Sequence, residues 1–337
     1  MKVLIMSAIY PTPEKPAWGT FVRTEVESLK LAGVDVELLL LTGGSRKWNY
    51  PKAIFQLRRL LRSNTIDLVH AHIAYAGMVA RTQWKVPVVV TYPGSDLLGL
   101  VESQGKKALL SPLVVAAGRQ LARCVDASIV QSAEMARILS PKTNTFVIPY
   151  AIDLETFRLT DRKEARAVLG LDADKKYLLF AANPQIAVKR FPLAEAVAVE
   201  MKKQDPSIEL LVVHKESQDR LALFMNAADA LVFPSYQEGS PNIVKQGMAC
   251  NIPIVSTDVG DVQEVIGNTE GCHVVKPEVG DFVRRLSEIL SHRRRTQGRE
   301  RVRHLAGPSI AQKIISVYEQ VLRMRKAHSL DRAPANL

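Results

Sequence analysis

The sequence predicts an α/β protein built from two doubly wound parallel sheets that face each other across a cleft. Three observations carry that prediction. Short apolar runs rich in β-branched residues alternate with amphipathic stretches along almost the whole chain. The runs are apolar throughout rather than at every second position, as in strands covered on both faces. The rhythm also stops at Pro149–Thr160 and then restarts, in a chain of 337 residues that is too long for one ordinary core and suits two.

In chain order, the first half offers strands at Lys2–Ile9, Val34–Leu41, Ile66–His70, Val86–Thr91, Ala127–Val130 and Thr145–Ile148, each bounded by turn formers. Between them Phe21–Leu31, Ile54–Leu61, Tyr75–Trp84, Leu110–Leu121 and Ala133–Leu139 have helical spacing. The second half offers strands at Tyr177–Ala182, Ile208–Val213, Ala230–Phe233, Ile252–Ser256 and Cys272–Val275. Its helices are Leu193–Lys202, Leu221–Asn226, Asn242–Met248 and Val279–Leu290. Ile310–Leu322 reads as a closing helix. The expected division is therefore 1–152, 153–307, a helix over 308–326 packing back toward the first half, and a loose tail over 327–337. Two Rossmann-like sheets of this kind bind ligands between the carboxyl ends of their strands.

Composition narrows the class. With 47% hydrophobic residues the chain is not disordered. No apolar run approaches the roughly 18–20 residues of a membrane span, and Met1-Lys2 leads straight into Val3-Leu4-Ile5-Met6 without a signal-peptide layout. Cys124, Cys250 and Cys272 are odd in number and widely spaced, so neither a disulfide framework nor a zinc site is expected, and a reduced cytosolic setting fits. Lys and Arg number 45 against 34 Asp and Glu, a net +11 that speaks of partners rather than of fold. Nucleic acid, an anionic membrane surface and phosphorylated substrates all answer to it.

Familiar phosphate motifs are missing. No Gly-x-Gly-x-x-Gly follows the first strand, and Gly99 to Gly105 with Lys106-Lys107 lacks the spacing and the hydroxyl of a P-loop. No Gly-x-Ser-x-Gly elbow occurs. His70 and His72 share one side of a strand end, but no neighbouring Cys, Asp or Glu completes a ligand set, so they read as packing and hydrogen-bonding residues and no metal is expected.

The informative stretch is Ala228–Ala249: a buried strand, a polar loop through Glu238-Gly239-Ser240, and a helix opening at Pro241-Asn242-Ile243, with Ser240 placed to cap it. Free backbone N–H groups at such a helix start form a phosphate site. Glu238 and Gln246, about two turns apart, can grip neighbouring hydroxyl groups. This stretch resembles the donor-site signature of glycosyltransferase family 4, retaining enzymes of the GT-B fold. The resemblance continues through Pro253–Ile266, Tyr10-Pro11-Thr12, Gly19–Arg23, Asp67–His72 and Pro149–Phe157, in order.

The resemblance implies a nucleotide-sugar donor held mainly by the second half, an acceptor held mainly by the first, and no metal or other cofactor in the chemical step. It makes Glu238 and Lys189 the central pair, with Glu238 on the donor sugar and Lys189 on its phosphates. Gly19, Asn183, Arg190, Gly239, Ser240, Pro241, Asn242, Ile243 and Gln246 complete the donor side. Thr20, Arg23, His72, Gly94, Ser95 and Asp96 fall on the acceptor side, Asp96 as the group that orients an acceptor hydroxyl. Plainer readings stand beside these: Gly19 as a turn glycine, Asp96 as an Asx-turn or helix-cap residue, and Glu238 as a cap of its own loop.

Three positions depart from the family pattern. Gln246 stands where a second glutamate grips the ribose, and an amide accepts through one oxygen only. Ala181-Ala182-Asn183-Pro184 lacks the phosphate arginine, which Arg190 replaces if adjacency to Lys189 suffices. Pro93 takes the place of a histidine near the reacting centre. These departures motivate an alternative, a weakened GT-B protein that binds nucleotide or glycan as a partner or scaffold. The expected function is transfer of a hexose-type sugar to a surface polysaccharide, glycolipid or lipid-linked acceptor.

The basic stretches complete the reading. Lys52–Arg62 has apolar residues at helical spacing beside cations, which suits either a solvated face or docking on anionic lipid at the inner face of the cell membrane. His292–Arg303 carries six arginines in twelve residues without aromatic interleaving, and reads as an exposed face rather than a nucleic-acid site. Residues 1–150 hold 18 basic and 10 acidic side chains, so most of the surplus lies on the acceptor half.

Overall fold

The computed structural model describes residues 1–41, 46–102 and 105–331, with the backbone alone over 46–50 and 328–331. The N-terminal sheet is formed by β1 (Lys2–Ser7), β2 (Asp35–Leu40), β3 (Leu68–His72), β4 (Val88–Tyr92), β5 (Ala127–Val130) and β6 (Thr145–Val147). All its pairings are parallel, in the order β2-β1-β3-β4-β5-β6. The central strands β3, β4 and β5 are buried at every residue, which is why their sequences are continuous apolar runs. Helices α1 (Thr20–Leu31), α2 (Arg46–Ser63), α3 (Ala74–Ala80), α4 (Ser95–Leu98), α5 (Ser111–Cys124) and α6 (Ala133–Ile138) supply the crossovers.

The second sheet joins β7 (Lys176–Phe180), β8 (Ile208–Val212), β9 (Ala230–Phe233), β10 (Ile254–Ser256) and β11 (Cys272–Val274) in the parallel order β11-β10-β9-β7-β8. Around it lie α7 (Arg162–Leu169), α8 (Phe191–Gln204), α9 (Gln218–Ala227), α10 (Asn242–Ala249), α11 (Val262–Ile266), α12 (Val279–His292) and α13 (Gly298–Val302). Sequence spacing had offered no helix at α4, α7, α11 or α13. Helix α7 is fixed at its ends instead: Asp161 accepts from the amides of Lys163 and Glu164, and Gly170 closes it in the left-handed conformation.

The last helix, α14 (Gly307–Asp331), begins earlier and continues further than the apolar spacing of 310–322 indicates, and 332–337 lie outside the described residues. It packs on α1: a Cβ at Gly307 would stand 2.4 Å from the Ser28 hydroxyl, so only glycine allows that approach. One hydrophobic cluster therefore runs from β1, α1 and α14 through Phe157 and Leu305 to α9 and α10, joining both sheets. Two further clusters fill the outer faces, one under α2, α3 and α5, the other under α8 and α12.

Strand order reverses at β1/β3 in the first sheet and at β7/β9 in the second. The loops that leave those strands at their carboxyl ends are the ones this architecture aims into the cleft.

Candidate active site at the cleft between the sheets

The loop after β1 ends at Gly19, which has φ +71° and opens α1. A Cβ there would lie 2.7 Å from the carbonyl carbon of Ile9, so the glycine is required by the loop's own backbone. Thr20 and Arg23 on the first turn of α1 then face Asn242 and Gln246 of α10, with Asp153, Thr156 and Gln218, around a cavity of only about 30 Å³. The Gln246 amide nitrogen donates to the Gln218 side-chain oxygen at 2.9 Å, which ties it to α9. The Asn242 Oδ1 is buried without a hydrogen-bond partner and so retains unused acceptor capacity.

The loop after β9 carries Glu238, and the loop after β7 carries Lys189 at the end of a short 3-10 turn. Lys189 Nζ donates to Glu238 Oε1 at 2.6 Å and stands 5.8 Å from the Phe233 ring centre. Both groups are partly sheltered from water, their side chains 25% and 15% exposed. Glu238 lines a pocket of about 410 Å³ with Ser132, Glu134 and Arg137 at helix α6 of the N-terminal half and Gly260 and Glu264 of the C-terminal half. Arg190 does not join it. Its guanidinium lies over the Tyr236 ring at 4.5 Å and donates to the Pro277 carbonyl at 3.1 Å, in a neighbouring pocket of about 490 Å³. Asn183 turns its own loop, its side-chain oxygen accepting from the amide of Gln185 at 3.0 Å.

The two sheets meet at glycines. A Cβ on Gly239 would be 3.0 Å from the Pro93 carbonyl oxygen; within the C-terminal half, one on Gly260 would be 2.7 Å from the Gly239 carbonyl oxygen, holding that loop in place. Gly94 approaches Gly239 from the other side, 3.6 Å from its amide nitrogen to a built Cβ. Gln237 also donates across the cleft to the Gly99 carbonyl at 3.2 Å.

Ser240 does not cap α10. Pro241 holds the cap position without a side-chain bond, leaving the first-turn amides of Asn242 and Ile243 uncapped by it. The Ser240 hydroxyl is drawn underneath, accepting from Lys245 Nζ and donating to the Asp261 carboxylate. Lys245 is fully buried, with Asp261 at 3.5 Å as counter-charge. Burial pushes the Lys245 ammonium below its ordinary value against the opposing pull of Asp261. This three-residue network ties the loop after β9 to the loop after β10.

On the acceptor side, Asp96 Oδ2 accepts from the amide of Ala74 at 2.9 Å and so anchors α3, and burial raises its pKa. Ser95 beside it is exposed. His72 is fully buried, bonded through Nε2 to Glu25 at 3.0 Å and stacked on Tyr150. His70 is held by the Tyr318 hydroxyl of α14 at 2.6 Å and by Thr91 at 2.7 Å, and burial pushes it down to about 3. Burial alone would raise Glu25, but the imidazoles of His72 and His70 bring it below its ordinary value. The expectation that no carboxylate joins the two histidines is thereby corrected: α1 carries Glu25 to them across 45 residues of sequence, and the ligand atoms lie within 4.8 Å of one another. Both ring nitrogens of His70 are occupied by protein hydroxyls, and the cluster works as an internal hydrogen-bond network joining α1, β3 and α14.

Two family models divide the chain along these lines. The glycosyl transferase 4-like domain matches residues 11–151, and the glycosyl transferases group 1 model matches residues 177–292. The chain belongs to the family 4 glycosyltransferases of the GT-B fold. A relative named for teichuronic acid biosynthesis, the glycosyltransferase TuaC of Bacillus subtilis, is 24% identical over 82% of this chain and 86% of its own length. The D-inositol 3-phosphate glycosyltransferase of Mycolicibacterium smegmatis is 24% identical over 71% of this chain and 63% of its own length. Among solved structures, sucrose-phosphate synthase from Thermosynechococcus elongatus superimposes with a TM-score of 0.76 at 20% identity, covering 96% of this chain and all of that one. Anabaena HepE, solved with UDP and glucose, gives 0.68 at 15% identity, covering 95% and 100%. These likenesses establish the fold.

Within this glycosyltransferase, sequence reasoning had overlooked Lys245, Asp261, Gln218 and Arg137. Lys245 looks like any helix lysine until the loop containing Asp261 folds over it. Arg137 was hidden because its pocket partner Glu238 is about a hundred residues away in the chain and on the other sheet.

Proposed function

We propose that this glycosyltransferase moves a hexose-type sugar from a nucleotide-sugar donor to a surface polysaccharide, glycolipid or lipid-linked acceptor, with retention of anomeric configuration and without a metal in the chemical step. The observation that carries the reading is the Lys189–Glu238 pair at the carboxyl end of β9, half-sheltered beside the uncapped start of α10. A donor diphosphate would take over the Lys189 ammonium and the amides at the start of α10, a charge-stabilising arrangement for the leaving group. Glu238, released from Lys189, would then accept from the sugar's hydroxyl groups. The second cation comes from Arg137 of α6 in the N-terminal half, which shares the Glu238 pocket, rather than from Arg190. In the transfer the anomeric carbon–phosphate oxygen bond breaks, the acceptor oxygen bonds to that carbon on the same face, and the acceptor's proton passes to the departing phosphate. Asp96 then acts by holding α3 in place. The basic helix α2 places the protein against an anionic membrane surface at the cytoplasmic side.

One observation favours the alternative of a weakened, binding-only protein: the Gln246 amide is already committed to Gln218 over a nearly closed cavity. A thermal-shift panel with uridine, guanosine and adenosine diphosphates and their sugars decides donor use. At least one should raise the unfolding temperature, and Lys189→Ala should remove most of that rise. Nucleotide-sugar binding without release of nucleoside diphosphate would support the alternative.

A further inference from the structure

The cleft side of the second sheet has two compartments of opposite charge. The Glu238 pocket is rich in acids: Glu134, Asp258 and Glu264 line it beside Glu238, with Arg137 as the cation among its lining residues. The pocket next to it lies at the carboxyl ends of β9, β10 and β11. Its volume of about 490 Å³ falls within the roughly 300–1,000 Å³ of small-molecule sites. Arg190 and Lys276 line it, with Asp258 as the acid among its lining residues. Tyr236, Asp258 and Val259 belong to both pockets, so the two share one wall.

The second compartment has polar capacity that the fold does not consume. Arg190 holds the left-handed backbone conformation, φ +53°, a costly one for a residue with a long side chain. Its guanidinium rests on Tyr236 and donates to the Pro277 carbonyl, away from Lys189. Neither Arg190 nor Lys276 forms an ion pair among the described residues. Ser235, 1% exposed, also lines the pocket, and its hydroxyl has no hydrogen-bond partner. Cations without counter-charge beside an unpartnered buried hydroxyl suit a ligand with anionic oxygens. Val259, Val274 and Val275 add an apolar wall on which the C–H face of a sugar ring can rest.

We propose that this compartment is a subsite for an acidic sugar, whose carboxylate or phosphoryl group is held by Arg190 and Lys276 while the adjoining part of the saccharide lies in the Glu238 pocket. The contrast of charge gives the ligand its direction. Hydroxyl groups go to the carboxylates around Glu238, and the anion goes where cations outnumber acids. The proposal rests on the sugar-transfer reading and names its saccharide class. The anionic group arrives either on the acceptor chain or on the donor sugar. Gly105 of the N-terminal half abuts the Tyr236 ring, so the compartment stands where the two halves meet and is open to either source.

Two measurements separate the sources. Saturation-transfer-difference NMR titrations compare methyl glucuronide and glucose 6-phosphate with methyl glucoside, with uridine, guanosine or adenosine diphosphate present, and read the acceptor source. Thermal shifts compare uridine diphosphate glucuronate with uridine diphosphate glucose, and guanosine diphosphate mannuronate with guanosine diphosphate mannose, and read the donor source. At least one measurement should favour the acidic sugar by about tenfold, and Arg190→Gln/Lys276→Gln should reduce that preference to about twofold or less. The rise in unfolding temperature with nucleoside diphosphate alone should persist in this variant. Lys276 is exposed, so Lys276→Glu alone lowers the preference in a folded chain even where the double variant fails to fold. No preference in either measurement, or a preference that survives these substitutions, overturns the subsite, while an intact diphosphate response leaves the transfer reading standing. Loss of the diphosphate response in the folded double variant would return Arg190 to the donor phosphates and equally overturn the subsite. Failure of the transfer reading shows separately, as a parent chain without any diphosphate response, and the free-sugar titrations still read the subsite.

Discussion

The two halves of the molecule share an architecture and use their cations in opposite ways. In the N-terminal half Arg58, Arg59 and Arg62 of α2 and Arg119 and Arg123 of α5 stand on the surface of an acid-free helix layer. In the C-terminal half three arginines of the densest basic run, His292–Arg303, are turned inward. Arg293 donates to Asp229 and to the Lys175 carbonyl, and Arg295 reaches the carbonyls of Met225 and Asn226. Arg299 binds those of Leu154, Phe157 and Ala249. Burial pushes Arg295 down to about 10, as for a cation withdrawn from water. The expectation of an exposed basic face over 292–303 holds for Arg294, Arg301 and Arg303, which are exposed, and is corrected for Arg293, Arg295 and Arg299, which are drawn into the fold. Charge density in a sequence does not say which cations remain for a partner; the supply of unpaired carbonyls and buried carboxylates around them decides that.

The largest effect expected from this contrast is at Asp229, whose fully buried carboxylate receives Arg162, Arg166, Arg293 and the Tyr177 amide. Asp229→Ala leaves the buried Arg166 without its counter-charge and should cost about 3–5 kcal/mol in denaturant unfolding. Arg299→Ala, which measures the same inward use at a less buried site, should cost about 3 kcal/mol.

Next comes the network under the active-site loops. Lys245→Met strands Asp261 and should cost about 3 kcal/mol, and adding Asp261→Asn should restore more than half of it. Additive losses in that double-mutant cycle would show that the pair does not act as a unit.

A smaller effect belongs to the buried histidine–carboxylate cluster of the N-terminal half. His70 stays neutral in the fold down to about 3, whereas the ordinary imidazole value is 6.5. Below that ordinary value the unfolded chain takes up a proton that the folded chain refuses, so stability falls with pH, by about 1.4 kcal/mol per unit. Between pH 6.5 and 5 the loss should be about 2 kcal/mol, and His70→Gln should flatten that slope. Glu25 adds to the acid loss further down, since its carboxylate is held below the usual value of 4.5 and its contribution disappears as pH falls through the lowered one.

The smallest effect is on the outer face of α2. Reversing Arg58, Arg59 and Arg62 to Glu should change unfolding free energy by no more than about 0.5 kcal/mol. A loss comparable to that of Arg299→Ala would erase the distinction between the halves.

What the sequence disclosed follows the physics of each feature. Strands β3, β4, β5 and β9 were readable because burial on both faces leaves an uninterrupted apolar run. Helices α4 and α11, of four and five residues, are too short to show a period, and α7 buries only Ala165 and Arg166. The loop and helix bearing Glu238 and Gln246 were legible because that chemistry is local. Partners set by tertiary packing were not: Glu25 reaching His70 and His72, Asp261 drawing Ser240 away from the helix start, and Tyr236 and Pro277 holding Arg190 apart from Lys189.

Release of nucleoside diphosphate from a panel of uridine, guanosine and adenosine diphosphate sugars, with membranes supplied as acceptor, tests the site at the cleft most directly. The Lys189–Glu238 arrangement predicts release with at least one donor, lowered at least a hundredfold by Glu238→Gln in a chain that still folds. Release that is unaffected by Glu238→Gln, or no release and no thermal response with any donor, would contradict it.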